Sequence, residues 1–157
     1  MLKVVGIDPG LDGALALIGD GFLAVQDMPT AGTGRQRTVA AAILGAVLRD
    51  WQPSYAAVER VHSMPQQGVS SSFKFGQSLG VIEGCLGALD IPVRYVSPAH
   101  WKRYFRLGSD KEAARKMALE RWPHVADRLC RKKDHGRAEA MLIGQFYLEN
   151  DWRVQGT

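Results

Sequence analysis

Three acidic side chains lie at the edges of apolar segments, where a carboxylate is costly to bury unless something pairs with it. Asp8 follows one apolar run, Glu59 ends a second, and Glu139 lies near the start of an apolar segment close to the C-terminus. A divalent cation is a suitable partner, because hard metals prefer oxygen ligands. The three acids therefore predict a hard-metal site, although each alone also fits a turn, an ion pair or a helix-dipole role.

Size and composition bound the class of protein. The 157 residues and the 46% hydrophobic content predict one folded domain over residues 1–157. No apolar stretch reaches about 18 residues, and no secretory pattern is present at the start, so we expect neither a membrane span nor a leader. Cys85 and Cys130 have no CxxC spacing, which favours a cytoplasmic protein without a zinc or disulfide scaffold.

The positive charge of the chain is local. Residues 100–137 contain 12 Lys and Arg against 5 Asp and Glu, whereas the rest of the chain contains 8 against 11. A basic segment of this kind often binds a polyanion, and the alternative is a solvated helical surface. Together with a metal site, the basic segment indicates a substrate that carries phosphate.

The hydrophobic pattern predicts strands and helices in alternation. An antiparallel meander of three strands is expected first, at residues 2–8, 13–18 and 22–28. Two further strands are expected at 55–61 and 91–96, and helices at 38–50, 73–89, 98–105, 110–122 and 138–148. Residues 30–37 and 62–72 are expected to be mobile loops. This order predicts an α/β fold, a five-stranded mixed sheet with helices on both faces.

Three short motifs accompany the three acids in chain order. They are residues 6–10 (GIDPG), residues 58–61 (VERV) with 74–80 (KFGQSLG), and residues 134–140 (DHGRAEA). In this order they resemble the ribonuclease H-like superfamily and, within it, the RuvC-type Holliday junction resolvases. Residues 96–102 (VSPAHWK), with Lys111 after them, are similar to the phage-like branch of that family.

The resemblance implies a ribonuclease H-like fold and a metal-dependent endonuclease that resolves four-way DNA junctions by paired symmetric nicks. Two Mg²⁺ ions about 3.5–4 Å apart can activate water and stabilise the leaving oxygen, and Mn²⁺ is expected to substitute. The expected ligands are Asp8, Glu59, Asp134 and Glu139. Two nicks imply a homodimer, with residues 73–89 as the candidate interface, in a bacterial cell or a phage-infected host.

The fourth site residue departs from the family pattern. The family has an acid three residues before the last carboxylate, and this chain has Gly136 there. His135 is four residues before Glu139 and shares its helix face, whereas Asp134 is the harder ligand and is favoured for the metal. His135 is then expected to carry a proton or to touch the water or the scissile phosphate.

Candidate DNA contacts are mostly cations. In the family, an aromatic residue three positions after the second carboxylate wedges into the junction; here that residue is His62, which can stack on a base. Phe73 and Phe75 are expected in the helix core. The candidate phosphate contacts are Lys74, Lys102, Arg103, Arg106, Lys111, Arg115, Arg131, Lys132, Lys133 and Arg137.

Other functions remain open from the sequence. A ribonuclease H-type enzyme or another branched-DNA nuclease would share the same acids. A non-catalytic DNA-binding module would keep the fold but not need the metal. A strand followed by Asp and glycines also occurs in sugar-kinase and actin-like ATPases, but those proteins need two such lobes and 157 residues hold one.

Overall fold

The computed structural model describes residues 1–61 and 66–150. Seven strands lie in these ranges: β1 (Val4–Asp8), β2 (Ala14–Gly19), β3 (Gly21–Asp27), β4 (Thr30–Ala31), β5 (Thr38–Val39), β6 (Tyr55–Glu59) and β7 (Val93–Val96). Five of them form one sheet in the order β3-β2-β1-β6-β7. β1, β2 and β3 pair antiparallel, whereas β6 and β7 run parallel to β1. The predicted meander and mixed sheet are confirmed.

Five α-helices cover the two faces of this sheet: α1 (Ala41–Trp51), α2 (Val69–Ala88), α3 (Pro98–Tyr104), α4 (Lys111–Arg121) and α5 (His135–Asn150). The core on one face combines sheet residues with those of α1 and α2, such as Leu44 and Ile82. The core on the other face includes Trp101 from α3, Ala118 from α4 and Met141 from α5. The expectation of helices on both faces is therefore correct. Within the described ranges, no helix is both long and apolar enough to cross a bilayer.

The segment predicted as a flexible basic loop has regular structure. β4 and β5 pair antiparallel across a 3₁₀ turn at Gly34–Gln36. We call residues 30–39 the hairpin. Because Thr38 and Val39 belong to β5, α1 begins at Ala41 rather than at residue 38. The prediction of a structureless loop was wrong, since long-range hydrogen bonds from Arg37 hold this segment in place.

Helix α2 begins earlier than predicted and exposes one of its aromatic side chains. It starts at Val69, inside the stretch expected to be a loop. Phe73 is 74% exposed and Val69 is 89% exposed. The prediction of Phe73 as helix core was wrong, because it lies on the face of α2 that points away from the sheet.

Helix α5 approaches the central strand unusually closely. A Cβ atom added at Gly6 of β1 would lie 2.1 Å from the Ala140 carbonyl oxygen and 2.6 Å from the Gly144 nitrogen. No side chain larger than hydrogen fits between the two backbones. This contact places the first turns of α5 directly over the end of β1.

Candidate active site

Two neighbouring strands bring the first two acids together. β1 and β6 are parallel, with Ile7 paired to Val58. Asp8 and Glu59 each follow by one residue, so they end adjacent strands at the same edge of the sheet. Since side chains alternate along a strand and Ala57 packs in the core shared with α5, both acids lie on the α5 face.

The third acid comes from α5 itself. Glu139 lies one turn into the helix and is 9% exposed, as is Glu59. Its carboxyl group lies close enough to Asp8 and Glu59 to raise the pKa of both. The structure therefore brings Asp8, Glu59 and Glu139 together, although they are far apart in the sequence.

The cluster holds more negative charge than its surroundings compensate. Burial raises the pKa of Asp8 well above its usual value, and the nearby Glu139 and Glu59 raise it further. Burial also raises the pKa of Glu59, partly offset by the hydrogen bond that the Trp101 indole donates to Glu59 Oε2 at 2.7 Å. A raised carboxyl pKa in this setting means that the nearby cations do not compensate for burial and for the repulsion between the acids.

The chemistry of the cluster fits a hard divalent cation. In the described part of the chain, no group of three or more His, Cys, Asp or Glu side chains already has the arrangement of a metal site. Glu59 instead accepts a hydrogen bond from Trp101 Nε1. The donor set nevertheless consists of oxygens that are short of positive charge, which is what Mg²⁺ requires.

Asp134 does not join this cluster. Its carboxylate is 1% exposed and accepts hydrogen bonds from the Arg131 backbone nitrogen at 2.8 Å and from Arg131 Nη2 at 2.7 Å. Burial raises the pKa of Asp134, but the Arg131 hydrogen bonds outweigh burial, and the pKa is lowered overall. Its role as the fourth ligand stays a prediction that these contacts weigh against, because its oxygens serve to cap the turn before α5.

His135 and Gly136 occupy the positions where the fourth group was sought. His135 Nδ1 is buried and has no hydrogen-bond partner among the described residues. A Cβ added at Gly136 would lie 3.5 Å from Asp8 Oδ2 and 3.0 Å from the Asp12 carbonyl oxygen. The glycine therefore leaves the space above Asp8 open. An unpaired imidazole nitrogen at the start of α5 is the better candidate for a further polar group at the site.

Two of the predicted phosphate-binding cations lie against the acids. Lys111 at the start of α4 lowers the pKa of Asp8, and Lys102 of α3 lowers that of Glu59, each through its positive charge. Lys102 also lines a cavity of about 630 Å³ with Arg103 and Arg106. Lys102 and Lys111 are therefore near enough to the carboxylates to act on them electrostatically.

Other predicted DNA contacts are engaged within the protein. Arg137 binds the Asp27 carboxylate at 2.8 Å and the Arg128 carbonyl oxygen at 3.0 Å. Arg115 pairs with Glu112, and Arg131 with Asp134. Lys132 and Lys133 line a cavity of about 630 Å³ that also contains His135. Lys74 lies beside the hairpin, and His62 falls outside the described residues.

Sequence reasoning missed two residues that hold the site in shape. Trp101 is fully buried and orients Glu59. Arg37 binds the loop after Asp8, through the Leu11 carbonyl oxygen and the Asp12 carboxylate, both at 2.8 Å. The signal for Trp101 was a tryptophan beside two basic residues, where an indole N–H needs a partner once buried. Arg37 gave no local signal, because its partners lie about 25 residues away.

The fold is a five-stranded mixed α/β sheet of the ribonuclease H-like type. The chain is similar to Thermus thermophilus RuvC in complex with a Holliday junction substrate, with 19% identity, a TM-score of 0.67, and coverage of 95% of this chain and 96% of that one. The fowlpox virus Holliday junction resolvase is 12% identical, with a TM-score of 0.62 and coverage of 94% and 98%.

The yeast mitochondrial Holliday junction resolvase Ydc2 has the same fold. It is 13% identical, with a TM-score of 0.64, and the match covers 98% of this chain and 80% of that one. No protein-family model matches the chain, and no curated protein matches it in sequence. Because the identities are low, these likenesses establish the architecture alone.

Proposed function

We propose that this protein is a metal-dependent endonuclease that resolves four-way DNA junctions by paired symmetric nicks. The observation that carries the proposal is the meeting of Asp8, Glu59 and Glu139 on one face of the sheet, with Lys102 and Lys111 beside them. The likeness to a RuvC structure that holds a Holliday junction supports the choice of substrate. The assignment to the phage-like branch rests on the resemblance of residues 96–102, which include Trp101.

The residues present suit phosphodiester hydrolysis. Asp8, Glu59 and Glu139 would hold two divalent ions, Mg²⁺ or Mn²⁺, which when bound supply an activated water and stabilise the departing oxygen. Lys102 and Lys111 would draw the phosphodiester towards the carboxylates and balance its charge. Trp101 keeps Glu59 oriented, since its indole can donate only one hydrogen bond and donates it to that carboxylate.

The exposed face of α2 supports a homodimer. Gly76, Gly80, Gly84 and Gly87 recur along this helix, and a Cβ added at any of them would meet nothing within 4 Å. Glycine costs a helix roughly 1 kcal/mol relative to alanine, and no packing among the described residues explains four of them. A second copy lying across this face at close backbone distance would explain them, and it would provide the second site needed for paired nicks.

The test is a cleavage assay on a synthetic four-way junction, with a matched duplex and an RNA–DNA hybrid as parallel substrates. With Mg²⁺ or Mn²⁺ we expect symmetric nicks in the junction only. The Asp8→Asn variant should lose them, whereas Asp50→Asn, which alters an exposed acid near the end of α1, should cut normally.

Two outcomes would replace the proposal with its alternatives. Comparable cutting of the hybrid would indicate a ribonuclease H-type enzyme. Junction binding that is tight, with no cleavage under any of these conditions and no effect of Asp8→Asn, would indicate a DNA-binding module without catalysis.

A further inference from the structure

The hairpin is fixed to the loop that follows Asp8. Arg37 donates from Nη2 to the Leu11 carbonyl oxygen, from Nη1 to the Asp12 carboxylate, and from Nε to Thr30 Oγ1 at 3.2 Å. One side chain thus joins the hairpin at two points to the loop that follows Asp8, which we call the catalytic loop. Arg37 is consumed by this structural role and is 34% exposed.

The same hairpin is also tied to α2. Lys74 Nζ donates a hydrogen bond to the Arg35 carbonyl oxygen at 2.5 Å. Arg35 therefore lies where the hairpin, α2 and the loop after Asp8 converge. Unlike Arg37, Arg35 makes no ion pair with any carboxylate in residues 1–61 and 66–150, and it is exposed. A cation anchored through its backbone, with its guanidinium unpaired, is available to a ligand.

A cavity of about 700 Å³ opens between these three segments. Among the described residues, its lining combines two cations, three serine hydroxyl groups and an apolar surface, without a carboxylate; Arg35, Lys74, Ser70, Ser71, Leu11 and Phe75 are among its members. The Phe75 ring lies under the backbone of the catalytic loop, 3.9 Å from the position of a Cβ added at Gly10. Cations and hydroxyls recognise a phosphate, and an aromatic face accepts a sugar or base.

We propose that this cavity is a second phosphodiester-binding subsite, in which Arg35 and Lys74 hold a phosphate of the DNA strand close to the one cut at Asp8. The inference rests on the proposed function and adds a site to it. Gly10 also lines the cavity. It is two residues from Asp8, so their Cα atoms are at most about 7 Å apart, which corresponds to about two nucleotides of a strand rising 3.4 Å each.

The shape and chemistry of the cavity favour a single strand over a duplex. Its volume lies within the range of about 300–1,000 Å³ that suits small ligands and is suited to about one nucleotide. The apolar side chains of Leu11 and Phe75 offer no hydrogen-bond donor to a duplex backbone, but they can pack against an unstacked sugar or base. The subsite would thus select DNA whose strand leaves the helix at a branch point.

The first experiment measures binding without catalysis. Junction and single-stranded oligonucleotide are titrated in metal-free buffer with protein that carries Asp8→Asn, alone and combined with Arg35→Gln. We expect Arg35→Gln to weaken binding of both about tenfold and to make the junction salt slope less negative by about 0.9. Arg94→Gln, which removes the same charge from the exposed edge strand β7, should change neither.

The second experiment locates the phosphate. Single methylphosphonate linkages, which are neutral, are placed at each position around the cleavage point. The parent protein should lose affinity at one linkage within about two nucleotides of the cut, and the Arg35→Gln protein should show no further loss there. An unchanged affinity of Arg35→Gln, or equal sensitivity of both proteins at every linkage, would overturn the subsite.

The two proposals fail in distinguishable ways. Cleavage of the junction by the native chain, with no effect of Arg35→Gln on affinity, would remove the subsite and leave the endonuclease. An Arg35-dependent loss at one linkage in a protein that never cleaves would keep the subsite and remove the endonuclease.

Discussion

Replacing Arg106 by glycine should weaken DNA binding without destabilising the fold. Arg106 follows α3 with a backbone φ of +57°. Its N–H bonds to the Arg103 carbonyl oxygen, and the Leu107 N–H bonds to the Lys102 carbonyl oxygen. This pair of hydrogen bonds is the Schellman motif, whose left-handed position is usually occupied by glycine. An arginine there adopts a backbone conformation that it disfavours, which suggests that its side chain has a role.

Two opposing backbone effects set the change in stability. The left-handed conformation destabilises a residue other than glycine by about 1–2 kcal/mol, whereas glycine lowers the free energy of unfolding by about 0.4–1 kcal/mol because it increases the entropy of the unfolded chain. Arg106→Gly should therefore leave the free energy of unfolding unchanged or raise it by up to about 1.5 kcal/mol. At about 2–4 °C per kcal/mol for a chain of this size, the melting temperature should rise by a few degrees at most.

The binding effect should have the opposite sign. Arg106 lines a cavity with Lys102 and Arg103, and loss of one charged phosphate contact should weaken junction binding about tenfold. The slope of log K against log salt should become less negative by about 0.9. Thermal unfolding and fluorescence anisotropy, measured on the same preparations, test both statements.

Two variants separate backbone from charge. Gln52→Gly, at φ +50° after α1, should gain similar stability and bind DNA normally. Arg106→Lys keeps the charge and the left-handed backbone, so it should bind with nearly native affinity. Junction binding by Arg106→Gly that matches the native protein would refute the phosphate contact, and a fall of several degrees in its melting temperature would refute the backbone argument.

Three further predictions follow from the carboxylates and from α2. Because the pKa of Asp8 is raised, the metal-free folded state binds more protons than the unfolded state, so its stability should fall as pH rises from about 4 through that pKa. Asp8→Asn should raise the metal-free melting temperature at neutral pH and abolish stabilisation by Mg²⁺. Trp101→Phe removes the hydrogen bond that lowers the pKa of Glu59, so the acidic limb of the rate profile should move to higher pH. Gly84→Glu should favour α2 by a few tenths of a kcal/mol but shift sedimentation from dimer to monomer; a dimer that persists would place the interface elsewhere.

The elements that could be predicted from sequence are those specified locally. Strand β6 is a short apolar run ending at Glu59, and α4 begins after Asp110, whose side chain accepts a hydrogen bond from the Glu112 nitrogen as an N-cap should. Both signals lie within a few residues of the element they define. The positions of Asp8 and Glu59 at strand ends are equally local, whereas Glu139 reaches them from α5.

The hairpin and the role of Asp134 could not be read in this way. β4 and β5 have two residues each, and nothing in their composition distinguishes them from a loop. They are held by Arg37, whose partners Leu11 and Asp12 lie about 25 residues away in the chain. From the sequence, Asp134 and His135 could be compared as the fourth site residue only by their spacing from Glu139 and by their ligand chemistry. The spacing gave no information about Arg131, which binds the Asp134 carboxylate. It also could not show that His135 Nδ1 is buried without a hydrogen-bond partner among the described residues.

The gathering of the acids depends on one close packing contact as much as on the acids themselves. A Cβ at Gly144 of α5 would lie 3.1 Å from Ile18 Cγ1 and 3.3 Å from the Gly6 nitrogen, so an alanine there would require its neighbours to shift by a few tenths of an ångström. Glu139 is five residues before Gly144 on the same helix, so a shift of α5 would also move its carboxylate relative to Asp8. Interiors are close-packed and do not absorb such shifts freely. The two glycines therefore set the carboxylate geometry, although neither can bind a metal or DNA.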